Sequence, residues 1–360
     1  MDAQKLYLFL ISLIIAAVLT PPVRRLALRI GAVDRPDSRK VHSRVMPRLG
    51  GLAIFLAFVI SVLLLMRPLS AASKGLLAGA TVIVAVGILD DLFSLSPLVK
   101  LAGQIGAAIV AVLFGIRIEF LTNPFDSYIP TGIISVPLTI FWIVGVTNAV
   151  NLIDGLDGLA AGVSVLASLT LSLVAATAGR SEVAALALAL AGSGVGFLFY
   201  NFHPARIFMG DTGSMFLGFT LATLSVAGYL KGAAFLSLVI PVFILAIPIL
   251  DTLFAIVRRF LNRQPIFKPD KEHLHHKLLS LGLSHRQAVL LIYLLTGIFG
   301  ATAYFLTRTS TAQTVMVVIG VALVVVVVAA KMGMLAGERQ EPEAVHWLEG
   351  KDKDKPGVDM

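Results

Sequence analysis

The chain is 360 residues long, 57% apolar and only 14% charged, with a mean hydropathy of +0.91. Soluble domains carry about 25% charged residues, so this composition excludes a water-coated globule and describes an integral membrane protein. The net charge of +8 does not mark a nucleic-acid binder, because the positive residues sort by membrane side. The lack of cysteine excludes disulfides and thiolate metal sites.

Apolar runs that can cross a bilayer as helices lie, in chain order, at 6–23, 49–66, 76–89, 98–118, 133–150, 159–177, 183–200, 214–229, 233–257, 288–306 and 314–330. The first is not a cleavable signal, since Arg24 and Arg25 follow it instead of preceding it. The third is short and the fifth carries Pro137. The expectation is an all-α polytopic membrane protein of about eleven transmembrane helices. An odd count puts the termini on opposite sides. Segments after the odd-numbered runs hold 22 of the 29 Lys and Arg, so that side is cytoplasmic, the amino terminus is outside and the carboxy terminus is cytoplasmic. Residues 1–330 read as a single transmembrane catalytic domain. Residues 331–360, where Lys alternates with Asp and Glu, read as a disordered cytoplasmic tail.

The polar segments then carry the chemistry. Loop 24–48 holds Arg35, Arg39, Lys40, His42, Arg44 and Arg48, a basic patch explained in part by contact with anionic lipid. Asp90 and Asp91 close the third run in GILDDLFSLSPLVK. Adjacent carboxylates destabilise each other unless a cation or proton intervenes, and Lys100 can supply that charge or hold a phosphate. NAVNLIDGLDGLAAG spaces Asn148, Asn151, Asp154 and Asp157 three apart, with Gly155 and Gly158 allowing close backbone approach. A capping turn needs one such residue, not four. A calcium loop is excluded because its bidentate Glu is absent. Asp211, in FMGDTGSMFLG, reads as an N-cap or as a Mg²⁺ ligand. Asp251 lies about two turns inside the ninth run, as a structural partner for a buried cation. In KPDKEHLHHKLL, His273, His275 and His276 with Lys271 and Lys277 form a second cationic patch. Their spacing suits anion binding better than tetrahedral zinc.

Seventeen of the 21 acidic residues fall on the cytoplasmic side. The motif clusters follow the first, third, fifth, seventh and ninth runs, so one membrane face receives them all. Carboxylates suited to a divalent metal beside basic loops suited to phosphates point to phosphoryl transfer, with at least one substrate, most simply a lipid phosphate, in the bilayer. A GxxxxGK[ST] loop is absent, which argues against nucleoside triphosphate hydrolysis.

Five stretches, DRPDSRKVHSRVMPRLGG, GILDDLFSLSPLVK, NAVNLIDGLDGLAAG, FMGDTGS and PDKEHLHHKLL, spread over roughly residues 30 to 290, resemble the cytoplasmic signatures of the polyprenyl-phosphate N-acetylhexosamine-1-phosphate transferases. The His-Leu-His-His loop and eleven-run topology look like the branch that uses UDP-N-acetylglucosamine, more than the branch that takes UDP-MurNAc-pentapeptide. The resemblance implies a multi-pass enzyme of the bacterial inner (cytoplasmic) membrane with its active site on the cytoplasmic face. It implies Mg²⁺, or Mn²⁺ in its place, held by Asp211 with Asn151 as second ligand. Asp90, Asp91, Asp154, His273, His275 and His276 are implied in catalysis. Lys40, His42, Lys100, Asn148, Asp157 and Asn201 are implied in substrate binding, with Asp157 and Asn201 toward the nucleotide and Lys100 toward the lipid phosphate. The implied partners are a UDP-N-acetylhexosamine, undecaprenyl phosphate and the bilayer, with a second copy of the chain as a candidate homodimer partner and no nucleic acid. A CDP-alcohol phosphatidyltransferase is excluded because Leu-Ala-Ala-Gly follows Asp157-Gly158 and no acid appears until Glu182. An ion-coupled transporter would place its carboxylates near the midplane, in paired repeats. The choice of sugar, pathway and polyprenyl length is not legible.

Overall fold

The computed structural model describes residues 3–35, 45–122, 128–228, 236–265 and 273–334. The chain runs through α1 (Ala3–Ile30), a two-residue hairpin of β1 (Val33–Asp34) and β2 (Met46–Pro47), then α2 (Gly50–Leu65), α3 (Ala71–Phe93) and α4 (Pro97–Leu113). A second hairpin, β3 (Phe120–Thr122) with β4 (Tyr128–Pro130), leads to α5 (Ser135–Leu152), α6 (Leu159–Thr177), α7 (Ser181–Asn201) and α8 (Gly210–Ala227). The last part holds α9 (Leu236–Ile244), α10 (Ala246–Leu261), the short α11 (Leu274–Ser280), α12 (His285–Leu306) and α13 (Thr311–Lys331).

Among the described residues, seven helical segments are long and apolar enough to cross a membrane, and α2 and α4 are shorter apolar helices. The chain is a mostly helical, polytopic membrane protein. Three elements depart from the sequence reading. The first run continues as helix to Ile30 through Pro21 and Pro22. The third is a full 23-residue helix, because Ala71–Gly75, too polar for an apolar run, extends it behind the Ser70 cap. The ninth is broken at Leu245 into α9 and α10, where Pro241 and Pro248 remove backbone donors on either side.

The centre of the bundle is α6, α7 and α8, whose side chains are mostly buried. Small residues let these helices approach closely, as packing inside a membrane requires. A Cβ on Gly192 would lie 2.2 Å from the Phe9 carbonyl oxygen, and one on Gly196 would lie 2.2 Å from that of Leu13, so this GxxxG face of α7 is the bed for α1. A Cβ on Gly51 would lie 2.0 Å from the Gly213 amide nitrogen, and one on Gly87 would lie 2.5 Å from Thr212 Cα. These two glycines press α2 and α3 against the first turn of α8. Phe216 fills the next layer, edge-on to Phe55 and Phe58.

Candidate active site

The carboxylates collect at one end of the bundle: the last turn of α3, the turn 153–158 between α5 and α6, and the first turn of α8. Their positions follow from backbone requirements. The α8 N-cap residue, Met209, supplies no side-chain cap. Asp91 supplies it from α3: its Oδ1 accepts from the Asp211 amide (3.0 Å), and its Oδ2 accepts from the Thr212 amide (3.1 Å) and hydroxyl (2.6 Å). Gly210, at φ +70°, leaves the room, since a Cβ there would lie 2.4 Å from Asp91 Oδ2. Arg48 donates to the Asp90 and Asp91 carbonyls, capping the C-terminal turn of α3.

Asp90 turns the other way. Its Oδ1 accepts from the Leu95 amide (2.8 Å) and its Oδ2 faces Lys100 Nζ at 3.1 Å. The same ammonium donates to Asp211 Oδ2, so Lys100 joins two carboxylates 121 positions apart in sequence. Beside them, Asn151 donates to Ser214 Oγ (2.8 Å), and its side-chain oxygen has no partner among the described residues. Asp154 is different. Among the described residues its carboxylate has no hydrogen-bond or ion-pair partner, while Asp211, Asp91 and Asp157 all repel its charge. Burial, reinforced by that repulsion, pushes it up to about 8 although the residue keeps some solvent contact.

Asp157 Oδ2 accepts from His203 Nδ1 (2.8 Å) and the Ala205 amide (3.0 Å). With His285 these side chains offer three ligand atoms within 4.8 Å of one another. The two rings stack at 4.1 Å and 21°, however, so their lone pairs lie in separate, nearly parallel planes and do not converge on one ion. The trio is a clasp on the turn. Tyr293 adds another, donating to the Gly158 carbonyl (2.5 Å) from the slot left open by Gly162.

The amides of two predicted site residues are engaged internally. Asn148 and Gln104 exchange amide hydrogen bonds (2.7 and 3.2 Å). Asn201 accepts from the Gly158 amide and donates to the Ile207 carbonyl. His273 and His275 are buried beside the turn. A Cβ on Gly155 would lie 2.3 Å from His275 Nε2, so the histidine segment docks on the acidic turn at a glycine. Burial, with His276 as the nearest repelling neighbour, pulls His275 down to about 3, leaving it neutral at pH 7. The His276 ring lies 4.2 Å from that of His275. Lys40 and His42 lie outside the described residues.

The sequence signature of glycosyl transferase family 4 matches residues 73–229. A Bacillus subtilis (strain 168) protein named "Probable undecaprenyl-phosphate N-acetylglucosaminyl 1-phosphate transferase" is 46% identical over 335 residues, covering 93% of each chain. The chain belongs to glycosyl transferase family 4, the polyprenyl-phosphate N-acetylhexosamine-1-phosphate transferases. Decaprenyl-phosphate N-acetylglucosaminephosphotransferase of Mycobacterium tuberculosis (strain ATCC 25618 / H37Rv) is 40% identical over 82% of this chain and 81% of its own. Undecaprenyl-phosphate alpha-N-acetylglucosaminyl 1-phosphate transferase of Escherichia coli (strain K12) is 29% identical over 75% of each.

The matched stretch contains the acidic motifs around Asp90, Asp154 and Asp211. Several residues that hold them went unread in the sequence. Thr212 and Ser214 are ordinary hydroxyls until α8 is seen to start on Asp91. Arg48 looks like one more positive-inside charge. Gln104, His203, His285 and Tyr293 lie outside the motifs. A polar residue within an apolar run, as with Gln104, is the one signal that could have found them.

Proposed function

We propose that this enzyme transfers N-acetylglucosamine 1-phosphate from UDP-N-acetylglucosamine to undecaprenyl phosphate. A lipid phosphate oxygen bonds to the β-phosphorus, the α–β anhydride bond breaks, and UMP leaves with the electron pair. The product is a polyprenyl-diphosphate-linked sugar that starts a cell-envelope polysaccharide. The observation that carries this reading is the acidic ring of Asp90, Asp211 and Asp154, in which the Lys100 ammonium bridges Asp90 and Asp211 while Asp154, without a partner among the described residues, is repelled by Asp211, in a chain whose relatives are named as polyprenyl-phosphate N-acetylglucosamine phosphotransferases.

The donor set fits Mg²⁺. It is all oxygen and hard, it already gathers one cation in Lys100, and it leaves the Asp154 carboxylate unpartnered. Asp211 and Asn151 would hold the ion, with Asp154 beside them. Bound there, Mg²⁺ would neutralise diphosphate charge and polarise the phosphoryl oxygens.

The remaining work belongs to side chains. A phosphate monoester has a second pKa of about 6, so the nucleophile is already largely deprotonated at neutral pH. Asp90 and Asp91 therefore serve as a frame: Asp91 holds the first turn of α8, and Asp90 aims Lys100, the cation for the lipid phosphate. Asp157 and Asn201 tie the 157–158 turn to residues 203–207, the part that would face the nucleotide. The histidine segment offers hydrogen-bonding groups to the sugar diphosphate, with His275 neutral, and Lys40 and His42 would face the same group. This reading also carries the topology of about eleven spans, with the amino terminus outside, the carboxy terminus cytoplasmic and the site at the cytoplasmic face of the inner membrane.

The test uses purified protein in detergent with undecaprenyl phosphate, Mg²⁺ and UDP-N-acetylglucosamine labelled in the sugar and the β-phosphate. Both labels should enter the lipid as UMP appears, and Asp211→Ala should abolish the transfer. Movement of the sugar label alone, with release of UDP, would overturn the reading.

A further inference from the structure

Asp251 sits on the buried face of α10, one turn from Ile247 and from Ala255. It is only 3% exposed, and a carboxylate in such a place is costly unless its acceptors are filled. Both oxygens are used. Oδ2 faces His273 Nδ1 at 2.8 Å, and Oδ1 accepts from the Leu274 amide at 2.7 Å. The second contact replaces a missing cap, because His273, the N-cap residue of α11, makes no side-chain cap hydrogen bond.

We propose that Asp251 is a positioning residue for the transfer reaction, fixing the tautomer and ring plane of His273 while anchoring α11 against the acidic turn. A carboxylate accepts only, so Nδ1 carries a proton, and in the neutral ring Nε2 is the lone-pair nitrogen. Nε2 has no partner among the described residues, so it is the nitrogen open to accept from a substrate O–H or N–H. The ring is held at 3° to that of His275, 6.0 Å away, and His275 in turn rests on Gly155 beside Asp154. A buried carboxylate on α10 thereby sets the geometry of the histidine segment. The inference rests on the proposed function only in assigning His273 to that reaction.

Asp251→Asn separates this role from simple packing. The amide can satisfy the Leu274 N–H and then offer its own N–H₂ to Nδ1, which moves the ring proton to Nε2. UMP release should fall about 100-fold in kcat with KM little changed. In a His273→Gln background the same substitution should change kcat by less than about twofold. Equal losses in both backgrounds, or an Asp251→Asn enzyme that turns over normally, would overturn the proposal. If Asp251→Asn does not fold, the wild type decides through ¹⁵N-histidine NMR, with the His273 signal assigned by its loss in His273→Gln. A proton on Nδ1 is expected, and a proton on Nε2 alone overturns the contact. A wild-type enzyme that releases no UMP would sink the reaction reading and leave the tautomer measurement to judge Asp251 by itself.

Discussion

The two ends of α3 use one device with different surroundings. At the Ser70 end, Glu182 from the first turn of α7 accepts from the Ser70 amide (3.2 Å) and the Ser73 hydroxyl (2.5 Å), tying α7 to the start of α3. At the other end, Asp91 of α3 caps the start of α8. Each is a carboxylate lent to a neighbouring helix N-terminus, where the helix dipole favours negative charge. The difference is what stands around it. Among the described residues Glu182 fills its role without another carboxylate in contact, whereas Asp91 is joined by Asp90, Asp154, Asp157 and Asp211. Capping needs one carboxylate, and four more beside it repel one another. Lys100 and His203 offset part of that repulsion and leave Asp154 without a partner among the described residues, so under the proposed function that end would take a bound cation and is the site, while the other is a joint.

The sharpest way to break this comparison is Asp91→Ala. It strands the Asp211 and Thr212 amides and the Thr212 hydroxyl around a side chain that is 1% exposed. An unsatisfied buried donor costs about 1–3 kcal/mol, so thermal unfolding in detergent should show a loss of about 3 kcal/mol or more, together with loss of UMP release. A stable, active Asp91→Ala enzyme would mean that α8 does not depend on its borrowed cap.

Lys100→Met comes next. It removes the ammonium shared by Asp90 and Asp211. The Lys100 side chain is 25% exposed, so the metal-free protein should lose about 1–2 kcal/mol, less than for a fully buried pair. Added Mg²⁺ should then stabilise the variant more than the wild type, because the ion takes over the missing charge. An identical Mg²⁺ shift in both proteins would show that the two cations do not share the ring.

Asp154→Asn tests the crowding by pH. The folded-state value of about 8 lies above that of an unfolded Asp, about 3.9, so the folded protein holds the proton more tightly. The associated stability is complete below pH ~4 and is lost as pH rises toward about 8. Stability of the metal-free wild type should therefore decline across that window, and Asp154→Asn should flatten the decline and be the more stable protein at pH 8. Mg²⁺ should also flatten it in the wild type. Parallel stability curves for the two proteins would remove Asp154 from the ring.

Much of this was legible in the residues, and what was not has a common cause. Periodicity and charge fix which helices are apolar and which side the motifs share. The pairing of Asp91 with Thr212 depends on helix packing set by Gly51, Gly87 and Gly210, and that of Asp251 with His273 on a histidine segment docked at Gly155, and spacing along one chain encodes neither. Asn148 and Asn201 show the reverse. The resemblance implies substrate contact for both, and the structure adds that their amides also bond to Gln104, Gly158 and Ile207. A motif marks where polar residues are needed, and the fold adds which of them also hold their neighbours still.

Glu182→Gln should have the smallest effect, and the smallness is the point. The glutamine carbonyl oxygen can still accept from the Ser70 amide and the Ser73 hydroxyl, so both hydrogen bonds survive and only the charge is lost. A charge of that kind at a helix N-terminus contributes about 0.3–1 kcal/mol, so the unfolding midpoint should move slightly and UMP release should match the wild type. A tenfold loss of turnover in a folded Glu182→Gln enzyme would mean that the charge at the Ser70 end acts on the reaction through the length of α3. The helix would then be a coupling element, and the contrast between joint and site would have to be abandoned.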